Sequence, residues 1–174
     1  MDPLTVLMKP LTKYLNDNEL FYAFTGELAL RMLGSGEETG IVELTANLTP
    51  EERHRLLNFL EQEGYVMEHR WRGPLEMRHR PTGLGLTLRL AGSSADMASI
   101  GRRVMATYGF LRFFIMSTED LLLGLLEDKG FPNERLVALY QKWRNYLDMG
   151  YLITSSRARG VYPRFIKMKL RAEK

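Results

Sequence analysis

From Tyr22 to Leu44 the chain reads YAFTGELALRMLGSGEETGIVEL, and this stretch decides the fold class. Leu20 to Phe24 is short, apolar and rich in aromatics, the composition of a buried strand, and Thr25-Gly26 ends it. Glu27 to Leu33 contains strong helix formers and stops at Gly34-Ser35-Gly36, a cap followed by a turn. Gly40 to Ala46 is the next strand. A strand, a short helix and a second strand in such close succession predict a mixed α+β (α/β) domain.

The flanking segments extend the pattern. Leu4, Leu7, Met8, Leu11 and Leu15 recur at helical spacing, which predicts an amphipathic helix over residues 3–16. Thr49-Pro50-Glu51-Glu52 combines a capping threonine, a proline suited to the first helical position and a glutamate that completes a capping box. Leu56, Leu57, Phe59 and Leu60 then face the core until Gly64. Tyr65–Trp71 and Leu75–Arg80 read as strands separated by Gly73-Pro74. Leu84, Leu86, Leu88 and Leu90 alternate with Gly85, Thr87 and Arg89, the signature of a half-buried strand. Ala95–Tyr108 is expected to be helical and Phe110–Met116 a strand. Ser117-Thr118-Glu119-Asp120 starts a helix through Glu127, and Leu136, Leu139, Tyr140, Trp143, Tyr146 and Leu147 share one face of the next. Tyr151–Leu170 is expected to form one or two short helices, broken at Gly160 and Pro163. The expected layout is a small α/β core over residues 1–117 and a C-terminal helical region, with a basic tail, over residues 118–174.

The 174 residues are 45% hydrophobic and 26% charged, with no cysteine. That composition is globular and excludes a disulfide framework, a thiolate zinc site and a cysteine nucleophile. No run of eighteen apolar residues is present, so no transmembrane helix and no membrane partner are expected. The N-terminal Met1-Asp2 places an acid where a secretory signal would carry positive charge, and the expected location is the cytoplasm. The net charge of +3 conceals an asymmetry. From Tyr151 to Lys174, Arg157, Arg159, Arg164, Lys167, Lys169, Arg171 and Lys174 face a single acid, Glu173. Arg70, Arg72, Arg78, Arg80 and Arg89 form a second cluster against Glu76. Concentrated positive charge favours phosphate-rich partners, although it also suits a solvated surface or a helix C-terminus. Trp71, Tyr151 and Tyr162 lie within or near these clusters and would offer faces for stacking bases.

The candidate chemistry is sparse. His54 sits between two arginines on a polar helix face. His69 and His79 flank a hairpin and could approach across it, but two imidazoles without a third ligand make a weak zinc site. No phosphate-binding glycine loop, nucleophile elbow or His-Glu-x-x-His motif occurs. The carboxylates Glu27, Glu37, Glu38 and Glu43 gather around the first strand–helix–strand unit, and only Glu43 lies clearly within a strand.

The Tyr22–Leu44 stretch resembles the opening of the polymerase-beta-type nucleotidyltransferase superfamily, most closely the minimal nucleotidyltransferases and the toxins related to the AbiEii family. There a strand ends in Gly-Gly or Gly-Ser, a helix follows, and the next strand carries Asp-x-Asp or Asp-x-Glu. Gly64-Tyr65-Val66 after the second helix and the Gly85–Leu90 strand, where a third carboxylate would stand, continue the resemblance. Ser117-Thr118-Glu119-Asp120-Leu121 resembles that branch's (S/T)-x-E-D-L helix start. The departures carry chemistry. Gly26 is followed by Glu27, Ile41 stands at the first acid position, Glu43 alone survives of the pair, and the third strand offers Thr87 or Arg89. A Lys and Arg-Asp pattern common in the later helices of that branch is absent from Leu121 to Trp143.

The resemblance therefore implies a small mixed sheet of nucleotidyltransferase type flanked by helices, with two of the three expected metal-binding carboxylates missing. Two magnesium ions for phosphoryl transfer cannot be assembled on Glu43 alone. The expectation is a catalytically degenerate binding module that needs no cofactor. Gly26, Arg70, Arg72, Arg78, Arg80, Arg89, Arg157, Arg159, Arg164 and Lys167 would contact a nucleotide or nucleic acid. The alternative is an active, toxin-like enzyme that uses Mg2+ on Glu43, with help from Glu37 or Glu38, to transfer a nucleoside monophosphate to RNA or protein. A third reading is a module for protein contacts, with Leu152, Ile153, Val161, Phe165, Ile166 and Met168 forming a homodimer or partner interface.

Overall fold

A computed structural model of the chain describes residues 2–69, apart from the His69 side chain, and residues 73–174. The chain divides into two compact units. One comprises the residues through Met32 together with Gly36–Met116, and the other Leu33–Ser35 with Ser117–Lys174. The first unit contains α1 (Pro3–Asp17), β1 (Phe21–Thr25), α2 (Gly26–Met32), β2 (Ile41–Asn47), α3 (Pro50–Gln62), β3 (Tyr65–His69), β4 (Leu75–His79), β5 (Gly85–Leu90), α4 (Ser94–Gly101), β6 (Val104–Tyr108) and β7 (Leu111–Ile115). Its strands form one sheet in the order β3-β4-β5-β2-β1-β7-β6.

The sheet is mixed: β2–β5 and β1–β7 pair parallel, and the other neighbours pair antiparallel. β1 and β2 pair antiparallel with Thr25 opposite Glu43, whereas β2 pairs parallel with β5 and places Glu43 opposite Thr87. β4 is antiparallel to β5, with Glu76 opposite Thr87. Directly opposed residues lie on the same face of a sheet. Thr25, Glu43, Thr87 and Glu76 therefore form one polar row across four strands. The intervening residues Val42, Leu44, Met77, Leu86 and Leu88 are buried, which is the expected alternation. β1 departs from alternation because Tyr22, Ala23 and Phe24 are all buried: this central strand is covered on both faces. The Phe24 and Phe113 rings meet edge to face at 5.4 Å in that core.

Helix α1 buries the predicted stripe of Leu4, Leu7, Met8, Leu11 and Leu15. Helix α3 has the capping box read from Thr49 and Glu52. It buries Leu56 and Leu60, while Leu57 and Phe59 are half-buried and Phe59 stacks on Tyr14 at 4.1 Å.

The helix expected over residues 95–108 is the main correction. A capping box of Ser93 and Asp96 starts α4, which ends at Gly101, and Val104–Tyr108 is a strand paired antiparallel with β7. Tyr108 lies opposite Leu111, so Gly109-Phe110 forms a two-residue turn. Gly109 adopts φ +58 at the position where such turns need glycine. Val, Thr and Tyr in residues 104–108 favour a strand once that turn supplies its partner.

Gly36 shows how tightly the loop after α2 returns to it. A Cβ there would stand 2.2 Å from the Arg31 backbone nitrogen and 2.5 Å from the Glu27 carbonyl oxygen. Both neighbours are backbone, so no side chain can move aside. Gly36→Ala is expected to destabilise the protein by about 1–3 kcal/mol, the range for overpacking. Gly40→Ala, with nothing within 4 Å of the added atom, should be neutral or slightly stabilising. Denaturant midpoints compare the two, and equal midpoints would refute the close approach at Gly36.

The second unit contains α5 (Thr118–Glu127), α6 (Asn133–Trp143), α7 (Met149–Ala158) and α8 (Tyr162–Ala172). The tail is thus two helices separated at Gly160, which has φ +71. Pro163 does not break the tail. It lies in the first turn of α8, where its missing N–H costs no helical hydrogen bond. Leu152, Phe165 and Met168, expected at an interface with another chain, are buried instead. Among the described residues, no helix is long and apolar enough to cross a membrane.

Candidate functional site

The polar row reaches its most crowded point where β1 gives way to α2. Gly26 adopts φ +61 at this junction, a conformation that favours glycine. A Cβ on Gly26 would stand 2.6 Å from the Glu43 carboxylate, so the carboxylate lies directly over the glycine backbone. Thr25 Oγ1 donates to Glu43 Oε2 at 3.5 Å. Although Glu43 as a whole has solvent access, partial burial of its carboxyl raises its pKa above the usual carboxylate value. The Thr25 hydrogen bond and the Arg89 charge oppose that rise, and the negative charge of Glu27 adds to it. Glu27 Oε2 in turn accepts the Glu37 backbone N–H at 2.9 Å, tying the loop to the start of α2.

Around Glu43 the face carries few acids. Ile41, two residues earlier and on the same side of β2, is 51% exposed. Thr87 stands opposite Glu43, and Glu76 lies one strand further along the row. Arg89 bridges to Asp96 at 3.2 Å and reaches Thr45 Oγ1 at 3.4 Å. Arg78 pairs with Glu68 at 2.5 Å and donates to the Gly83 carbonyl at 3.0 Å. Arg80 is exposed. Arg70, Arg72 and Trp71 lie outside the described residues, as does the His69 side chain. His79 is buried, with Nδ1 and Thr82 Oγ1 2.8 Å apart and its ring against Tyr65. His54 is exposed beside Asn58. Among the described residues, no three or more histidines or carboxylates are placed to hold a metal ion.

The basic tail separates into two populations. Arg164 donates to the carbonyls of Leu125, Leu126, Asp128 and Phe131, satisfying acceptors left at the end of α5. Arg159 pairs with Asp120 and Glu127. Tyr151 donates its hydroxyl to Asp120 at 2.7 Å. Arg157 lies 4.7 Å over the Tyr162 ring but is itself exposed, and Lys167 is exposed on α8. The place of Glu76 in the polar row was missed at the sequence level, because only strand register brings it into line with Thr87 and Glu43.

No protein-family profile matches the sequence, and no curated protein matches it. Solved structures do. The antibiotic-resistance factor ANT(2'')-Ia matches with a TM-score of 0.64 and 13% identity, over 99% of this chain and 97% of that one. A complex of ANT(2'')-Ia with adenylyl-2''-tobramycin matches at 0.61 and 14% identity, over 97% and 98% of the two chains. The lincomycin-bound lincosamide antibiotic adenylyltransferase LnuA matches at 0.56 and 15% identity, over 78% of this chain and 94% of that one. The fold is nucleotidyltransferase-like. At these identities the likeness is one of architecture alone.

Proposed function

We propose that this chain is a nucleotidyltransferase-fold protein without two-metal catalysis, acting as a binding module for a nucleotide or nucleic acid. In this reading residues 1–117 are the nucleotide-binding core and residues 118–174 a helical region that presents basic side chains. The observation that carries it is the content of the polar face: Ile41 and Thr87 flank Glu43 where partner carboxylates would be needed. Paired metal ions sit about 3.5–4 Å apart and need several shared oxygen ligands. Magnesium also gives up its waters reluctantly, so a lone carboxylate holds it weakly. The residues present do not fit a two-metal centre. Gly26, with the exposed Arg80 in the turn after β4, would serve phosphate binding without metal.

The alternative, an active metal-dependent enzyme transferring a nucleoside monophosphate to RNA or protein, is favoured by one observation. Burial chiefly, and the Glu27 charge to a lesser degree, raises the Glu43 pKa, and a cation bound beside the two carboxylates would oppose that rise. Isothermal titration of ATP with magnesium, and then with EDTA, separates the readings. The binding module predicts heat that survives EDTA, an affinity in Glu43→Gln at least equal to the parent's, and no pyrophosphate release. Magnesium-dependent pyrophosphate release that disappears in Glu43→Gln would establish the enzyme instead.

The same variant has a stability signature. A carboxyl whose folded-state pKa is raised binds its proton more tightly in the native state. Stability therefore falls as pH rises through the carboxylate range, and the penalty is complete above the folded pKa. Glu43→Gln removes the ionisation, so its melting temperature at neutral pH should equal or exceed the parent's.

A further inference from the structure

We infer that the outer face of α8 is a docking surface for the phosphate backbone of a single-stranded nucleic acid. Lys167 and Arg171 lie one helical turn apart, and Lys174 follows just beyond the end of α8. All three are exposed. They project away from Phe165, Met168 and Ala172, which are buried. Arg159 and Arg164, by contrast, are engaged within the unit by Asp120, Glu127 and backbone carbonyls. The acid of this segment, Glu173, pairs with Lys169 at 3.7 Å and leaves the outer cations without an acidic partner among the described residues.

Charge complementarity therefore points to a polyanion. At about 1.5 Å of rise per residue, the three cations span roughly 10 Å, a length that meets a few consecutive phosphates. A lipid surface is disfavoured because the apolar face of α8 is already buried and has nothing left to insert. Leu170, 58% exposed beside the cations, adds apolar surface for a base. Cations near the end of a helix also favour its dipole, but that effect concerns the last turn and does not require Lys167 to stand free of acids. The surface belongs to the helical unit and does not depend on the polar face around Glu43.

The test is fluorescence anisotropy of a labelled oligouridylate with the whole protein, its Lys167→Glu/Arg171→Glu/Lys174→Glu variant, and Arg55→Glu as a control. Three phosphate contacts on a single strand give a slope of log affinity against log salt of about −2, which is about a fifteen-fold loss between about 50 and 200 mM. The triple variant should lose at least tenfold in affinity at the lower salt and flatten the slope, while Arg55→Glu, a charge reversal at an exposed position of α3, binds as the parent does. These substitutions are at exposed positions, and an unchanged circular dichroism melt verifies folding. The docking surface is refuted if the triple variant binds like the parent, if the parent does not bind, or if it prefers duplex or anionic phosphatidylserine vesicles. Oligouridylate binding with no ATP heat would overturn the nucleotide reading of the core and leave this one standing. The converse result would overturn only the surface on α8.

Discussion

Asp120→Ala should lower stability by about 3–5 kcal/mol, the cost of breaking a buried ion pair from one side. The Asp120 side chain is only 2% exposed and Arg159 19%. One carboxylate oxygen accepts from the Tyr151 hydroxyl at 2.7 Å and from Arg159 at 3.4 Å, and the other accepts from the Ser117 hydroxyl at 2.8 Å. The Ser117 oxygen accepts the Asp120 backbone N–H in return, capping α5. An acid in the first turn is also favoured by the helix dipole. The adjacent Glu119 accepts the Asp148 backbone N–H at 2.8 Å, so two neighbouring acids tie the start of α5 to the start of α7. Alanine at position 120 removes the shared acceptor from a hydroxyl network and a cation at once.

Thermal melts should show the loss as a fall of about 6–20 °C, at about 2–4 °C per kcal/mol for a chain of this size. Asp120→Asn keeps an acceptor for Tyr151 and should cost less, about 1–2 kcal/mol, because the charge interaction with Arg159 is lost while a hydrogen bond survives. Arg159→Ala should cost less than Asp120→Ala, since the carboxylate retains Tyr151 and Ser117. A melt of Asp120→Ala within about 0.5 kcal/mol of the parent, the range of ordinary surface changes, would contradict this account.

This cluster illustrates what a sequence conveys and what it withholds. Ser117-Thr118-Glu119-Asp120 is legible as a helix start because capping is local chemistry. That Arg159 and Tyr151 converge on Asp120 is not legible, since it depends on how α7 packs against α5. The same divide runs through the basic tail. Its charge is plain in the sequence, but Arg164 is engaged by four carbonyls that only the folded chain brings together, whereas Lys167 faces water. In the sheet, β1, α2 and β2 are readable because glycines punctuate them and the apolar periods are clean. β6 is not, because the apolar residues of α4 run on into Val104 and Met105. Gly101 marks the stop, and the turn at Gly109 makes sense of the strand only once β7 is beside it. The polar row is a matter of register: Glu76, Thr87, Glu43 and Thr25 come from four strands, and no spacing along the chain places them in line.

That register makes a strong prediction about what the polar face lacks. Ile41→Asp combined with Thr87→Asp should create a divalent-cation affinity well above the parent's. Ile41 and Glu43 point to the same side of β2, and Thr87 is opposite Glu43 on the adjacent strand, about 4.8 Å away in the hydrogen-bonding direction. Three carboxylates would then share one small area of sheet. Without metal they repel one another, and like charges set opposite across strands are destabilising. The double variant should therefore melt below the parent in EDTA. With manganese at about a hundred times its dissociation constant, linkage returns about 2.7 kcal/mol, and the melting temperature should climb by several degrees. The parent and the double variant carrying Glu43→Gln test the assignment from both sides, the first showing no metal-dependent rise and the second a much smaller one. A double variant whose melting temperature ignores manganese would mean that Ile41, Glu43 and Thr87 do not converge, and the missing acids would no longer support the proposal of a fold without two-metal catalysis. A manganese-dependent rise would place the deficit in side chains alone, on a backbone still shaped to bring three carboxylates together.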